Sequence, residues 1–231
     1  MREYTEDVTS QYEALERIVK LKNIHKILYK TVKRFFDIFF SIIGLLFMLP
    51  LTMFVYIGNM ASHDIGPVFY KQKRLGKNGK HFYVYKFRTM IVNADDVISA
   101  YLAEHEEARE EFKKYYKLQN DPRVTKFGRF LRKASIDEVP QFINVLKGEM
   151  SLIGPRPIVD AEVPFFGDDM ELIHSIKPGI TGYWAANGRS DVWYDERVKM
   201  EAFYASHCSL LLDTKIFFKT IIQVLKKNGA V

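Results

Sequence analysis

Residues 35–58 read FFDIFFSIIGLLFMLPLTMFVYIG, and this run decides the architecture. It exceeds the ~20 apolar residues that span a bilayer, and it holds one formal charge, Asp37. A secretory signal is excluded, because the apolar core is too long and more than thirty residues precede it. A buried helix of a soluble domain fits poorly: the run is apolar on every face, and a chain of 231 residues could hardly enclose it. Lys26, Lys30, Lys33 and Arg34 lie before the run, and Lys71, Lys73, Arg74, Lys77 and Lys80 lie after it. Basic loops stay on the cytoplasmic side, so both flanks ask for the same side. Pro50, inside the run, removes a backbone hydrogen bond and kinks a helix. A Pro50-broken, re-entrant helix that enters and leaves by one leaflet satisfies both features. A straight span satisfies only the length.

On the amino-terminal side, Tyr12, Leu15, Val19, Leu21, Ile24 and Leu28 recur at helical spacing among lysines. This is the pattern of a basic amphipathic helix that lies on an anionic membrane surface or packs on its own domain. On the carboxyl-terminal side, residues 68–73 and 81–87 are aromatic and β-branched and flank Gly76-Lys77-Asn78-Gly79, a hairpin signal. That turn lacks the spacing of a Walker loop. Residues 92–118 read as one or two charged helices. The expected organisation is a tail and basic helix over 1–31, a re-entrant membrane helix over 32–60, and one compact cytosolic catalytic domain over 61–231. The fold class is α+β, mainly helical, in a monotopic membrane protein.

The chain carries 34 basic and 28 acidic residues, a formal charge of +6, which favours an anionic partner. Cys208 is the single cysteine, so neither an internal disulfide nor a cysteine-based zinc site can form, as suits a reducing compartment. No Gly-x-Ser-x-Gly elbow, metalloprotease histidine pair or dinucleotide fingerprint is present. What remains is residues 128–157, GRFLRKASIDEVPQFINVLKGEMSLIGPRP. Here Asp137 and Glu138 stand among Arg129, Arg132, Lys133 and, farther on, Arg156. One reading is structural: Ser135-x-x-Glu138 is a capping box, with Pro140 in the following helical turn. The other is chemical: two carboxylates could hold magnesium beside a phosphate, or one could attack phosphorus as a covalent nucleophile. Arg156, between Pro155 and Pro157, suits presentation of a guanidinium fork to a phosphate.

With these residues the chain resembles the bacterial sugar transferases, monotopic polyprenyl-phosphate phosphoglycosyl transferases. The resemblance is carried by Lys86-Phe87-Arg88-Thr89-Met90, Ser135-Ile136-Asp137-Glu138-Val139-Pro140-Gln141, Asn144-Val145-Leu146-Lys147-Gly148, and residues 150–157. Pro178-Gly179-Ile180-Thr181-Gly182, Trp184 and Asn187-Gly188-Arg189 extend it, and the whole covers about residues 32–231. Phe203-Tyr204 and residues 209–217 are similar to the larger, hexose-transferring branch. Thr89 stands where the family often has Ser, and Leu49 stands where a Ser often precedes the proline.

The resemblance implies transfer of a sugar 1-phosphate, expected to be galactose or glucose phosphate, from a UDP-sugar to polyprenyl (undecaprenyl) phosphate. UMP would be released, in the first membrane step of exopolysaccharide or capsule synthesis. It places the nucleophile on Asp137 and magnesium binding on Glu138 with Asp137, so Mg2+ is the expected cofactor. The diphosphate needs screening cations, and Lys86, Arg88, Arg132, Arg156 and Arg189 are the expected ones. Larger relatives carry further transmembrane helices ahead of this core, which a chain of this length is expected to lack. The expected partners are a nucleotide-sugar donor, polyprenyl phosphate and the bilayer. A homo-oligomer stays open, and nucleic acid is excluded. The expected location is the cell membrane, catalytic domain on its cytoplasmic face. A magnesium-dependent membrane phosphohydrolase with the same dyad, using water as acceptor, is the alternative.

Overall fold

A computed structural model of the chain describes residues 2–63, 65–115, 118–188 and 193–226, with side chains from residue 23 onward except residues 114, 115 and 226. The first element, α1 (Arg2–Ala61), is a single helix that runs through Pro50 without interruption, so the expected break at Pro50 is absent: the proline deletes one backbone hydrogen bond without ending the helix. The boundary expected at residue 31/32 therefore falls inside one helix. The amphipathic pattern of residues 12–21 lies outside the described side chains. The expected hairpin is present: β1 (Phe69–Leu75) pairs antiparallel with β2 (His81–Phe87), Phe69 facing Phe87 and Leu75 facing His81. Asn78 and Gly79 take positive φ between them, the backbone that a tight turn of this kind requires. The charged stretch forms α2 (Ala94–Glu104) and α3 (Glu106–Tyr115).

The rest is a chain of short elements: α4 (Lys126–Lys133), α5 (Gln141–Lys147), β3 (Ser151–Ile153), α6 (Asp169–His174), β4 (Gly179–Thr181), α7 (Tyr183–Asn187), α8 (Tyr194–His207) and α9 (Leu210–Lys226). β3 and β4 are parallel, Ser151 beside Gly179 and Ile153 beside Thr181. Their continuation is a backbone-to-backbone contact. Gly154 N–H donates to Thr181 O at 2.9 Å, and Gly179 N–H donates to Pro155 O at 2.8 Å. A Cβ on Gly154 would stand 2.4 Å from Lys177 O, so only glycine lets the two motifs approach this closely.

α1 is fastened to this domain along much of its length. Near its entry to the apolar run, Lys33 Nζ pairs with Asp213 at 2.6 Å, and Arg34 donates to Val145 O and Leu146 O at 2.6 and 2.8 Å. The latter are last-turn carbonyls of α5, a position that favours a cation. Asp37, the one charge in the run, is 4% exposed and accepts Ser151 Oγ–H at 2.9 Å and Leu152 N–H at 2.8 Å. Farther along, Gly44 packs against Phe142, Val55 joins Phe87 and Leu131 in a buried cluster, and Gly58 packs against Phe127. The opposite face stays uncovered: Phe35, Leu46, Phe47, Leu49 and Met53 are all exposed. α1 thus has one face packed on the domain and one apolar face turned away from it. Within Asn23–Ala61 it is long and apolar enough to cross a membrane.

Candidate active site

The dyad sits just after α4, and its backbone is not that of a capping box. Ser135 has φ 55° and ψ 21°, the left-handed region, and its side chain makes no cap hydrogen bond. Its N–H donates to Arg132 O at 2.9 Å, so Ser135 closes the end of α4 instead of opening the next helix. Residues Ile136–Glu138 form a single 3-10 turn, and Pro140 (φ −61°) starts α5. The capping reading is therefore corrected: a non-glycine residue held at positive φ re-aims the chain, and both carboxylates are released from capping work.

Asp137 is 7% exposed. Lys86, projecting from β2, donates to Glu138 Oε1 at 3.0 Å and stands 3.8 Å from Asp137 Oδ2. Burial pushes the Asp137 carboxyl up to about 6; Lys86 pulls it down, Glu138 pushes it up, and Arg132 pulls it down again. Arg132 Nε donates to Thr89 Oγ1 at 3.0 Å, so the hydroxyl of Thr89 orients the guanidinium whose charge reaches Asp137.

A solvent-connected cleft of about 450 Å³ opens beside the dyad. Lys86, Glu138 and Gln141 line one side, and Arg74, Arg156, Trp184 and Glu201 line it elsewhere, with the Gly154 and Gly179–Thr181 backbone between. Arg74 is held by Glu162 at 3.3 Å and by Pro157 O at 3.1 Å. Burial, with Arg156 and Arg197 nearby, lowers its pKa to about 10. Arg74 and Arg156 thus present positive charge to the cleft, which suits an anion.

Of the expected site residues, Lys86, Asp137 and Glu138 converge, Arg132 stands behind them, and Arg156 faces the same cleft. Arg88 has a different task. It is buried, and it donates from Nε to Pro67 O at 2.6 Å and from Nη1 to Met90 O at 2.9 Å, tying the hairpin to the chain around it. Arg189 lies outside the described residues. Sequence reading missed Arg74, Gln141 and Glu201, and assigned no role to Trp184. Arg74 was one basic residue among several on a strand. Glu201, four residues after Arg197, reads as an ordinary helix-surface ion pair.

Among the described residues no three His, Cys, Asp or Glu side chains converge on one point. Two adjacent oxygen donors beside a cation-lined cleft fit magnesium, which is commonly held by one or two carboxylates with substrate phosphates and water completing its shell. Asp137 and Glu138 are the residues that would hold it, with the Lys86 ammonium moving aside.

The chain matches the bacterial sugar transferase family over residues 28–227. It belongs to that family. This sugar transferase is 45% identical over 208 residues to the undecaprenyl-phosphate galactose phosphotransferase of Salmonella typhimurium, a match covering 90% of this chain and 43% of the relative. It is 42% identical over 198 residues to the exopolysaccharide production protein ExoY of Sinorhizobium fredii, covering 86% of this chain and 87% of that one. It is 39% identical over 220 residues to the galactosyl transferase CpsE of Streptococcus agalactiae, covering 95% and 48%. The transferase thus spans less than half the length of the Salmonella and Streptococcus relatives.

Proposed function

We propose that this sugar transferase moves a sugar 1-phosphate, galactose or glucose phosphate, from a UDP-sugar to undecaprenyl phosphate and releases UMP. The single observation that carries the chemistry is the Asp137–Glu138 pair. It is freed from helix capping by the left-handed Ser135 and paired with Lys86, and its Glu138, with Asp137 buried beside it, lines a cleft with two further arginines, Arg74 and Arg156. An Asp137 carboxylate oxygen attacks the phosphorus that bears the sugar. The bond from that phosphorus to the bridging oxygen breaks, and its electron pair leaves with UMP. An oxygen of the lipid phosphate then attacks the same phosphorus, displacing Asp137 as a free carboxylate and forming a lipid-linked sugar diphosphate. Mg2+ held by Glu138 and Asp137 would neutralise phosphate charge during both displacements.

The acceptor's tail stays in the bilayer, so the dyad must sit at headgroup height. In support of a re-entrant α1 with both ends on the cytoplasmic side, residues early in its apolar run (Asp37) and late in it (Val55, Gly58) touch the same domain. Basic residues flank the run on both sides, and its far face is apolar and exposed. Purified protein given UDP-galactose or UDP-glucose without lipid tests the chemistry. The expected result is a mass gain of one sugar phosphate mapped to Asp137, discharged on adding undecaprenyl phosphate with formation of the lipid diphosphate sugar. Release of free sugar phosphate in place of lipid product would identify a phosphohydrolase.

A further inference from the structure

The wall of the cleft built by α7 and α8 holds buried polar atoms that nothing in the transfer step uses. Glu201 is 2% exposed; its Oε1 accepts Arg156 N–H at 3.0 Å, while its Oε2 is buried without a hydrogen-bond partner. Trp184 lines the same cleft, and its Nε1–H is likewise buried and unpartnered. Behind them Arg197 lies 4.9 Å from the Trp184 ring centroid and donates to Glu162 at 3.1 Å, with Nε and Nη2 unpartnered. Buried polar groups are ordinarily satisfied, and an orphaned acceptor and an orphaned donor on residues that line one cleft mark a place where a ligand completes the bonding.

The chemistry of that ligand follows from the groups. Above about pH 7, where Glu201 is ionised, a phosphate is repelled by the carboxylate and is served instead by Arg74 and Arg156. Hydroxyls both donate and accept, so a hydroxyl-bearing ring offers partners to Glu201 Oε2 and to Trp184 Nε1–H alike. We propose that Glu201 and Trp184 form the subsite for a hydroxyl-bearing ring of the nucleotide-sugar donor, next to the arginines that take its diphosphate. The proposal rests on the transferase reading above and names the part of the donor site that reads its hydroxyls. Either the ribose or the sugar ring supplies such hydroxyls. Glu201 has a second task as a positioning residue, because its Oε1 fixes the Pro155-Arg156-Pro157 turn.

Glu201→Gln separates the two tasks. The Gln amide oxygen still accepts Arg156 N–H, but an NH2 group replaces the free acceptor. Trp184→Phe keeps an aromatic ring and removes the N–H donor. Titration calorimetry of wild type and both variants in detergent, with UMP, UDP-glucose and UDP-galactose, is the test. The expected result is binding weakened about tenfold or more in each variant, with the melting temperature retained and the Asp137 adduct still forming at saturating donor. Equal losses on UMP and on both UDP-sugars place the ribose at Glu201. Losses confined to the UDP-sugars, and unequal between glucose and galactose, place the sugar ring there. Should Glu201→Gln fail to fold, Trp184→Phe decides alone. Wild-type affinity for all three ligands in a folded variant, alongside a normal Asp137 adduct, overturns the subsite and leaves the transferase reading standing. Absence of both nucleotide binding and adduct in the wild type removes both.

Discussion

Lys86 Nζ lies 3.0 Å from Glu138 Oε1, so the dyad already holds a cation, and that cation belongs to the protein. An ammonium there steadies two adjacent carboxylates that would otherwise repel each other and the incoming diphosphate. A divalent ion held by the same two carboxylates would compete with it. Lys86→Met is therefore expected to have two effects of opposite sign. Adduct formation at saturating magnesium falls by at least tenfold, while the magnesium concentration giving half-maximal rate decreases. Single-turnover adduct formation across a magnesium series measures both. A variant with wild-type rate and unchanged metal dependence would remove Lys86 from the site.

Asp37 is the one charge in the apolar run, and its bonds to Ser151 and Leu152 pin α1 to β3. Asp37→Ala leaves Leu152 N–H without this acceptor in a buried setting, and about 1–3 kcal/mol of stability should go with it. Ser151→Ala, which removes only one donor, should cost about 1 kcal/mol or less. Thermal unfolding of both variants in detergent checks the ranking, and equal losses would contradict it.

Topology is open to direct measurement. In a Cys208→Ser background, Lys30→Cys and Lys73→Cys flank the apolar run. Both should react with a membrane-impermeant maleimide only when the cytoplasmic side is exposed. Labelling of the two positions from opposite sides would mean that α1 crosses the bilayer.

The apolar run, the hairpin and the two charged helices were legible because each depends on local pattern: run length, aromatic and β-branched residues around a Gly-Lys-Asn-Gly turn, and charge spacing. The reading of Ser135 as a helix N-cap failed for a physical reason. Ser followed three residues later by Glu is the same string whether Ser opens one helix or closes the previous one, and only the left-handed backbone that ends α4 distinguishes them. Arg88 and Arg132 looked alike as phosphate ligands, yet Arg88 donates to Pro67 O and Met90 O, Arg132 donates to Thr89 Oγ1, and neither lines the cleft. Glu201 and Arg74 gave no signal, because their importance lies in burial against distant Arg156 and Glu162 and not in any neighbouring residue.

Gly154 is where the turn after β3 meets the backbone leading into β4. A methyl group there would lie 2.4 Å from Lys177 O and 2.8 Å from Gly179 N, both backbone atoms that cannot rotate away. Gly154→Ala should therefore push β3 and β4 apart, destabilise the protein by about 1–3 kcal/mol, and lower donor affinity by displacing Arg156. Gly79→Ala, a substitution at positive φ with open space around it, should cost no more than about 1 kcal/mol and leave donor binding intact.

Glu201 makes stability depend on pH in a direction opposite to that of an ordinary ion-paired carboxylate. Burial pushes its carboxyl up to about 7, against the pull of Arg156 N–H and of the Arg197 and Arg156 guanidinium groups. The folded protein therefore binds a proton more tightly than the unfolded chain, whose glutamates titrate near ~4.3. Below about pH 4 this stabilisation is fully present. As pH rises from there through 7 the folded state must ionise a buried acid, and the advantage, on the order of 3 kcal/mol, is lost. Glu201→Gln carries no titrating group, so its melting temperature should fall less than that of wild type between pH 5 and 8. The difference between the two should grow steadily across that interval. Parallel melting curves for wild type and variant would show that Glu201 stays ionised throughout, held by Arg197 and Arg156 despite its burial.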